Sequence, residues 1–197
     1  MASVLIPLAQ GCEELEAVTL IDLLRRAGVE VVTAGLDDQP VSGSRGVVLL
    51  ADTTLDKALE QQYEMIILPG GQPGTNNLAA NLPLRQALIQ QVEQGKEVAA
   101  ICAAPRVLAA AGLLNNLHVT SYPGSLDDMP VEGMHYLDEM VVHDGNIITS
   151  QGPGTALDFA LYLIDVLMGE PKRDEVEAAL VRPEQHMMYV DEELDEE

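Results

Sequence analysis

Cys102 stands in "EVAAICAAPRVLAAAG", residues 97–112, where an apolar run stops and an alanine-rich run of helical character begins. A thiol is a weak nucleophile until it ionises, and free backbone N–H groups at the first turn of a helix favour the thiolate. Ala103 and Ala104 are small enough to leave the sulfur open, and Pro105 suits a first-turn position. An abrupt strand-to-helix turn would hold Cys102 in a strained backbone conformation, as at other nucleophile elbows. The same spacing also describes a structural cysteine buried at a strand end, so this residue alone points two ways.

Two other stretches carry groups that such a thiol could use. In "LPGG", residues 68–71, glycines after a strand let backbone N–H groups approach a ligand closely. The N–H groups of Gly71 and Ala103 could together form an oxyanion hole, although "PGG" by itself is a common turn. In "GCEELEAV", Glu13, Glu14 and Glu16 crowd a helix start, where the helix dipole favours carboxylates whatever their role. One of them facing the sulfur would make a like-charge pair that shares a proton at neutral pH and serves as general acid or base. The spacing does not choose among the three.

The elements that must position these groups follow from periodicity and turn residues. "SVLIPLA" reads as a buried strand, and "EELEAVTLIDLLRRAG" as a helix with Leu15, Val18, Ile21 and Leu24 at helical spacing and Gly28 as C-cap. "VEVVTAGL" is the next strand, "PVSGSRGVVLLAD" a hairpin and "TTLDKALEQQ" a short helix. "YEMIILPGG" is a buried strand, and a helix over "LPLRQALIQQVEQG" leads to the strand Val98–Ile101. Cys102 to Gly112 reads as helix, "LHVTSYPG" as strand, 124–135 as loop and "MVVHDGNIITSQ" as a hairpin. "GPGTALDFALYLIDVLMG" is a long amphipathic helix, and a last helix starts with Pro171.

Strands apolar on both faces, alternating with helices, predict one doubly wound α/β domain with a mostly parallel sheet covered on both sides and two small hairpin insertions. The domain covers 1–185, and the acidic 186–197 reads as a disordered tail. Sites in such sheets lie at the C-terminal strand ends, where Gly11–Glu16, Pro69–Gly74 and Cys102 all fall.

Composition narrows the function. Of 197 residues 47% are hydrophobic, with one Phe and no Trp, so the core is aliphatic. The formal charge of −22, to which the tail "DEELDEE" contributes only six of 32 acids, repels phosphate backbones and argues against nucleic-acid binding by bulk charge. An acid-rich surface with three lysines suits a saline setting and predicts a melting temperature that rises from low to molar salt. The start, "MASVLIPLAQGCEELEAV", has no cationic leader, and its apolar run of about seven residues is too short to span a bilayer. Two cysteines are too few for a disulfide scaffold, and a reducing, cytoplasmic location is expected. His118, His135, His143 and His186 lack metal-ligand spacing, and no nucleotide-binding glycine motif occurs, so neither metal nor nucleotide cofactor is expected.

Five stretches in order, "LIPLAQGCEELEAVTLIDLLRRAG", "GSRGVVLLAD", "ILPGGQPGTNNL", "VAAICAAPRVLAAAGLL" and "TSQGPGTALDFALYLIDVL", resemble the DJ-1/ThiJ/PfpI superfamily in its DJ-1-like branch. The chain is similar to the bacterial YajL group from about residue 3 to 182. The resemblance implies a flavodoxin-like, class I glutamine-amidotransferase-like sandwich, a homodimer and no cofactor. It implies that Cys102 is the reactive thiol, Glu16 its protonated partner, and Gly71 and Ala103 the oxyanion donors. Glu13 and Arg45 would lie near the pocket or dimer interface, with Gly70 and Tyr122 beside the substrate.

Two departures stand out. Tyr122 occupies the place where several eukaryotic members carry a histidine, and Cys12 replaces a small residue. Cys12 is either inert or a resolving thiol for an oxidised Cys102. Two functions fit the same residues: a cofactor-free enzyme converting methylglyoxal or glyoxal to a hydroxy acid, with repair of glycated proteins and nucleotides, or a redox sensor and chaperone using the same oxidisable cysteine. A peptidase is disfavoured, because the protease-like branch places His directly after the nucleophile and this chain has Ala103.

Overall fold

The computed structural model describes residues 2–182; the expected acidic tail and His186 lie outside them. The chain runs β1 (Ser3–Leu8), α1 (Glu14–Arg26), β2 (Glu30–Gly35), β3 (Val41–Ser42), β4 (Val48–Leu49), β5 (Thr53–Thr54) and α2 (Leu55–Ala58). It continues through β6 (Met65–Leu68), α3 (Gln72–Ala80), α4 (Leu82–Glu93), β7 (Glu97–Ile101), α5 (Pro105–Ala110), β8 (His118–Val119) and β9 (His135–Tyr136). The last elements are β10 (Val141–Asp144), β11 (Ile147–Ser150), a 3-10 turn at Pro153–Thr155, α6 (Ala156–Met168) and α7 (Glu170–Ala179).

Seven strands form one sheet in the order β10-β11-β7-β6-β1-β2-β5, parallel throughout except where β10 meets β11. This is the flavodoxin-like α/β arrangement expected from the sequence. Side-chain alternation along the central strands sorts the core into two halves. Val4, Ile6 and Leu8 of β1, Met65 and Ile67 of β6, and Ala99 and Ile101 of β7 pack on the face covered by α1, α6 and α7. Leu5, Ile66, Leu68, Val98 and Ala100 pack on the face of α2 to α5. Burial on both faces explains why these strands read as unbroken apolar runs.

The chain reverses its winding direction at β1, with β2 on one side and β6 on the other. Three neighbouring strands, β7, β6 and β1, therefore deliver Cys102, Gly70-Gly71 and the Gly11–Glu16 turn to one crevice at the switch point.

Several expectations are corrected. The buried stripe of α1 is Ala17, Leu20, Leu23 and Leu24 with Glu14 and Glu16, whereas Leu15 and Val18 are exposed. The polar carboxylates are turned inward because they have partners there, which hydrophobic periodicity does not register. α3 was not anticipated: its glycine and amide residues show little apolar period, and it is held by close backbone approach, a Cβ on Gly74 falling 2.7 Å from the Cys12 nitrogen. Residues 102–104 form a turn, and helix begins only at Pro105. Only His118–Val119 of "LHVTSYPG" is strand; beyond it the Thr120 N–H donates to the Thr149 hydroxyl (2.9 Å) and the Tyr122 N–H to the Cys102 carbonyl (2.9 Å), taking both out of a ladder. The β3–β4 hairpin stands apart as an insertion, but β10–β11 forms the edge of the main sheet.

Candidate active site

Cys102 has φ 64°, a left-handed conformation that costs a residue bearing a Cβ about 1–3 kcal/mol. The surroundings hold it there. Its N–H donates to the Ser150 carbonyl at 2.9 Å, and its carbonyl accepts from Tyr122. The sharp turn brings the sulfur near the N–H groups of Gly71 and Ala103, which favour its charged form. The residue is 8% exposed and lines a cavity of about 540 Å³. The donors are loop amides and not the start of α5, which lies three residues further on.

The three glutamates have three different partners. Glu13 caps α1, its carboxylate accepting from the Glu16 N–H at 2.8 Å, and it lines the cavity. Glu14 turns the other way and accepts from the N–H groups of Arg45 (2.7 Å) and Val47 (3.2 Å) and from the Ser44 hydroxyl (3.2 Å). It thereby fastens the β3–β4 hairpin and places Arg45 on the cavity wall. Burial would raise Glu14, but these donors outweigh it and hold its carboxyl below the usual range.

Glu16 is fully buried beside the sulfur. Its Oε2 accepts from the Gly70 N–H at 2.8 Å; its Oε1 has no fitting donor among the described residues. Burial pushes this carboxyl up to about 7, against the Gly70 and Cys102 hydrogen bonds that lower it. Gly70 must lack a side chain, since a Cβ there would sit 2.6 Å from both the Cys102 Cβ and Glu16 Oε2. At Gly71, φ +90° and a Cβ position 2.5 Å from the Glu13 nitrogen impose the same requirement.

Burial, then the Glu16 charge and hydrogen bond, push the Cys102 thiol up to about 12, opposed by the Gly71 and Ala103 N–H groups. The simple lowering expected from a helix start is thus replaced by a coupled pair. The two groups do not both ionise; together they keep one proton across the neutral and alkaline range. A proton on Glu16 Oε1, which has no other partner among the described residues, would leave the charge on the sulfur. The arrangement suits a nucleophilic sulfur with an adjacent proton carrier and two N–H groups for a developing oxyanion.

Of the residues singled out from sequence, Glu13, Arg45, Gly71, Cys102, Ala103 and Tyr122 line the cavity, and Glu16 and Gly70 lie directly behind the sulfur. Sequence reasoning missed the walls supplied by Ser44, Pro123, Gly124 and Ser125, none of which carries a spacing signal. Cys12 is buried in the α1-side core and does not line the cavity; burial, then the Glu14 and Glu13 charges, push its thiol up to about 11. The described histidines do not line the cavity: His118 pairs with Asp144 at 2.9 Å, and His143 bonds the Tyr162 hydroxyl at 2.9 Å. Among the described residues no group of three His, Cys, Asp or Glu side chains is arranged to hold a metal, and no helix is long and apolar enough to cross a membrane.

The model of the DJ-1/PfpI family matches residues 2–166. Protein dj-1beta of Drosophila melanogaster is 42% identical over 91% of this chain and 96% of its own length. The crystal structure of Drosophila DJ-1beta superposes with a TM-score of 0.87, at 42% identity, over 91% of this chain and 97% of that one. The glutathione-independent glyoxalase DJR-1.2 of Caenorhabditis elegans is 37% identical over 87% of this chain and 90% of its own.

Proposed function

The chain belongs to the DJ-1/PfpI family, and from that premise we propose that it is a cysteine-dependent, cofactor-free enzyme acting on small reactive carbonyls such as methylglyoxal. The observation that carries this reading is the left-handed Cys102, its sulfur set between a buried Glu16 and two N–H donors at the floor of an open cavity. A relative named as a glutathione-independent glyoxalase supports it.

The sulfur adds to the aldehyde carbon, forming a C–S bond and moving the carbonyl π electrons to oxygen. The Gly71 and Ala103 N–H groups, released as the sulfur loses its charge, turn to that oxyanion. The Glu16 proton neutralises the oxygen and gives a hemithioacetal. The Glu16 carboxylate then takes the proton from the former aldehyde carbon and returns it to the neighbouring carbon, while the hydroxyl proton passes to the neighbouring oxygen, leaving a thioester of the hydroxy acid. Water cleaves the thioester, releasing lactate and restoring the thiol. Atoms and charge balance as methylglyoxal plus water to lactate and a proton, with no external oxidant or reductant. Tyr122 and Arg45 offer hydrogen bonds to the remaining substrate oxygen from the cavity wall. A cavity of about 540 Å³ also leaves room for glycated adducts of larger molecules.

The test is turnover of methylglyoxal by wild type, Cys102→Ser and Glu16→Gln, with lactate measured directly. The reading requires that Cys102→Ser lose turnover; wild-type rates in that variant would refute it. A second reading, redox sensing, rests on the same buried Oε1: a sulfinate oxygen on Cys102 would accept its proton, stabilising the oxidised form. Trace turnover together with selective Cys102 oxidation in intact-mass spectra after mild peroxide would favour it.

The same proposal includes a homodimer in the cytoplasm. Leu15 and Val18 on α1, with Val47, Val48 and Leu50 on the hairpin that Glu14 fastens to that helix, form an exposed apolar group suited to a second copy. Light scattering should give twice the 21.2 kDa chain mass, falling to one chain mass in Val18→Glu.

A further inference from the structure

Arg106 lies four residues after the cysteine, in the first turn of α5, and its guanidinium reaches the segment that follows β8. Nη1 donates to the Ser125 carbonyl and to the Asp128 carboxylate, and Nη2 donates to the second Asp128 oxygen at 3.1 Å. Tyr122, Pro123, Gly124 and Ser125 form one wall of the cavity over the sulfur. That wall is tied at its start by the Tyr122 N–H to the Cys102 carbonyl (2.9 Å) and folded on itself by the Ser125 N–H to the Tyr122 carbonyl (2.9 Å). At its end, the buried Leu126 and the Arg106 fork are the anchors. The Arg106 side chain is 22% exposed and that of Asp128 70%, so the arginine is the fixed post and the loop carboxylate comes to it.

Resting on the reading of Cys102 as the reactive thiol, we infer that Arg106 is a positioning residue: it holds the Tyr122–Ser125 wall and thereby sets the size of electrophile that reaches the sulfur. A planar fork binding a carboxylate with two N–H groups fixes both distance and angle, which a single ammonium does not. Without it, the wall keeps the Tyr122 bond, its own turn hydrogen bonds and the Leu126 side chain but loses the tie at its far end, and it swings outward from the elbow. The Arg106 side chain bonds Ser125 and Asp128 and neither Cys102 nor Glu16, so the Gly70 bond to Glu16 stays in place in its absence.

The experiment measures alkylation rates at Cys102 by a small reagent, iodoacetamide, and a bulky one, fluorescein-5-maleimide, with peptide mass spectrometry separating Cys102 from Cys12. The readout is the bulky-to-small rate ratio in wild type, Arg106→Ala, Arg106→Lys and Asp128→Asn. The ratio rises about fivefold in Arg106→Ala, as expected for losing a charge-assisted anchor. It rises less in Asp128→Asn, and Arg106→Lys does not restore the wild-type value. Asp128→Asn changes only an exposed side chain, so the answer survives if Arg106→Ala fails to fold. Unchanged ratios in folded variants, or equal slowing of both reagents, overturn the role of Arg106 while leaving Cys102 reactive. A wild-type Cys102 inert to iodoacetamide overturns the underlying reading itself.

Discussion

Glu14 and Glu16 sit two residues apart on the first turn of α1, both buried, and they face opposite neighbourhoods. Glu14 meets donors on the β3–β4 hairpin, while Glu16 meets one N–H and a thiol. Each faces a glycine that admits it: a Cβ on Gly43 would lie 2.5 Å from Glu14 Oε2, and one on Gly70 would lie 2.6 Å from Glu16 Oε2. The outcome differs because the number of donors differs. A carboxylate with its lone pairs satisfied stays charged and fastens structure; one left short of donors holds a proton it can give away. Neighbouring residues of one type thus acquire a scaffold role and a chemical role from their surroundings.

The sharpest way to break that division is to neutralise each in turn. Glu16→Gln should lower kcat for methylglyoxal about 10²–10⁴-fold, the usual span for a lost proton carrier. Glu14→Gln should leave kcat at the wild-type level and cost about 1–2 kcal/mol of stability. Equal effects of the two variants on kcat would erase the distinction.

Stability against pH separates them next, with opposite slopes. The Cys102–Glu16 pair loses its first proton near 7, above the 4.5 of the unfolded carboxyl, so its contribution is full below 4.5 and is lost as pH rises toward about 7. The loss amounts to about 3 kcal/mol at most, and Glu16→Gln should remove it from denaturant-melt profiles. Glu14, lowered in the fold, contributes above the ordinary carboxylate range and loses this as pH falls through its folded value. Glu14→Gln should therefore flatten only the acid side.

The two glycines sharpen the same contrast. Gly70→Ala and Gly43→Ala should each cost about 1–3 kcal/mol by overpacking. Only Gly70→Ala should depress turnover, because it separates the sulfur from Glu16. The smallest effect belongs to Cys12. Cys12→Ala should cost about 1 kcal/mol and leave turnover unchanged. A Cys12–Cys102 disulfide peptide in non-reducing mass spectra after peroxide would contradict that passive role.

Much of this was legible in the residues. The parallel sheet followed from strands apolar on both faces, and the elbow from the abrupt change of pattern at Cys102. The three strand ends that meet in the crevice carry the glycine and glutamate clusters read as chemical from the start. The inward turn of Glu14 and Glu16 was not legible, since an apolar stripe through Leu15 and Val18 fits helical spacing equally well. Spacing does not choose Glu16, whose partner lies 86 positions away in the chain; the family resemblance alone names it from sequence. The wall at Tyr122–Ser125 was read as strand and loop, and what fixes it, the Arg106 fork, spans elements whose contact no periodicity records.

The central claim is that Cys102 and Glu16 form one titrating unit with the charge on sulfur at neutral pH. The rate of Cys102 alkylation by iodoacetamide as a function of pH, in wild type and Glu16→Gln, tests it most directly. The account predicts a wild-type inflection near 7, the first step of the Cys102–Glu16 pair, that disappears in Glu16→Gln. A wild-type thiol that stays unreactive until above the ordinary thiol range, or superimposable curves for the two proteins, would contradict it.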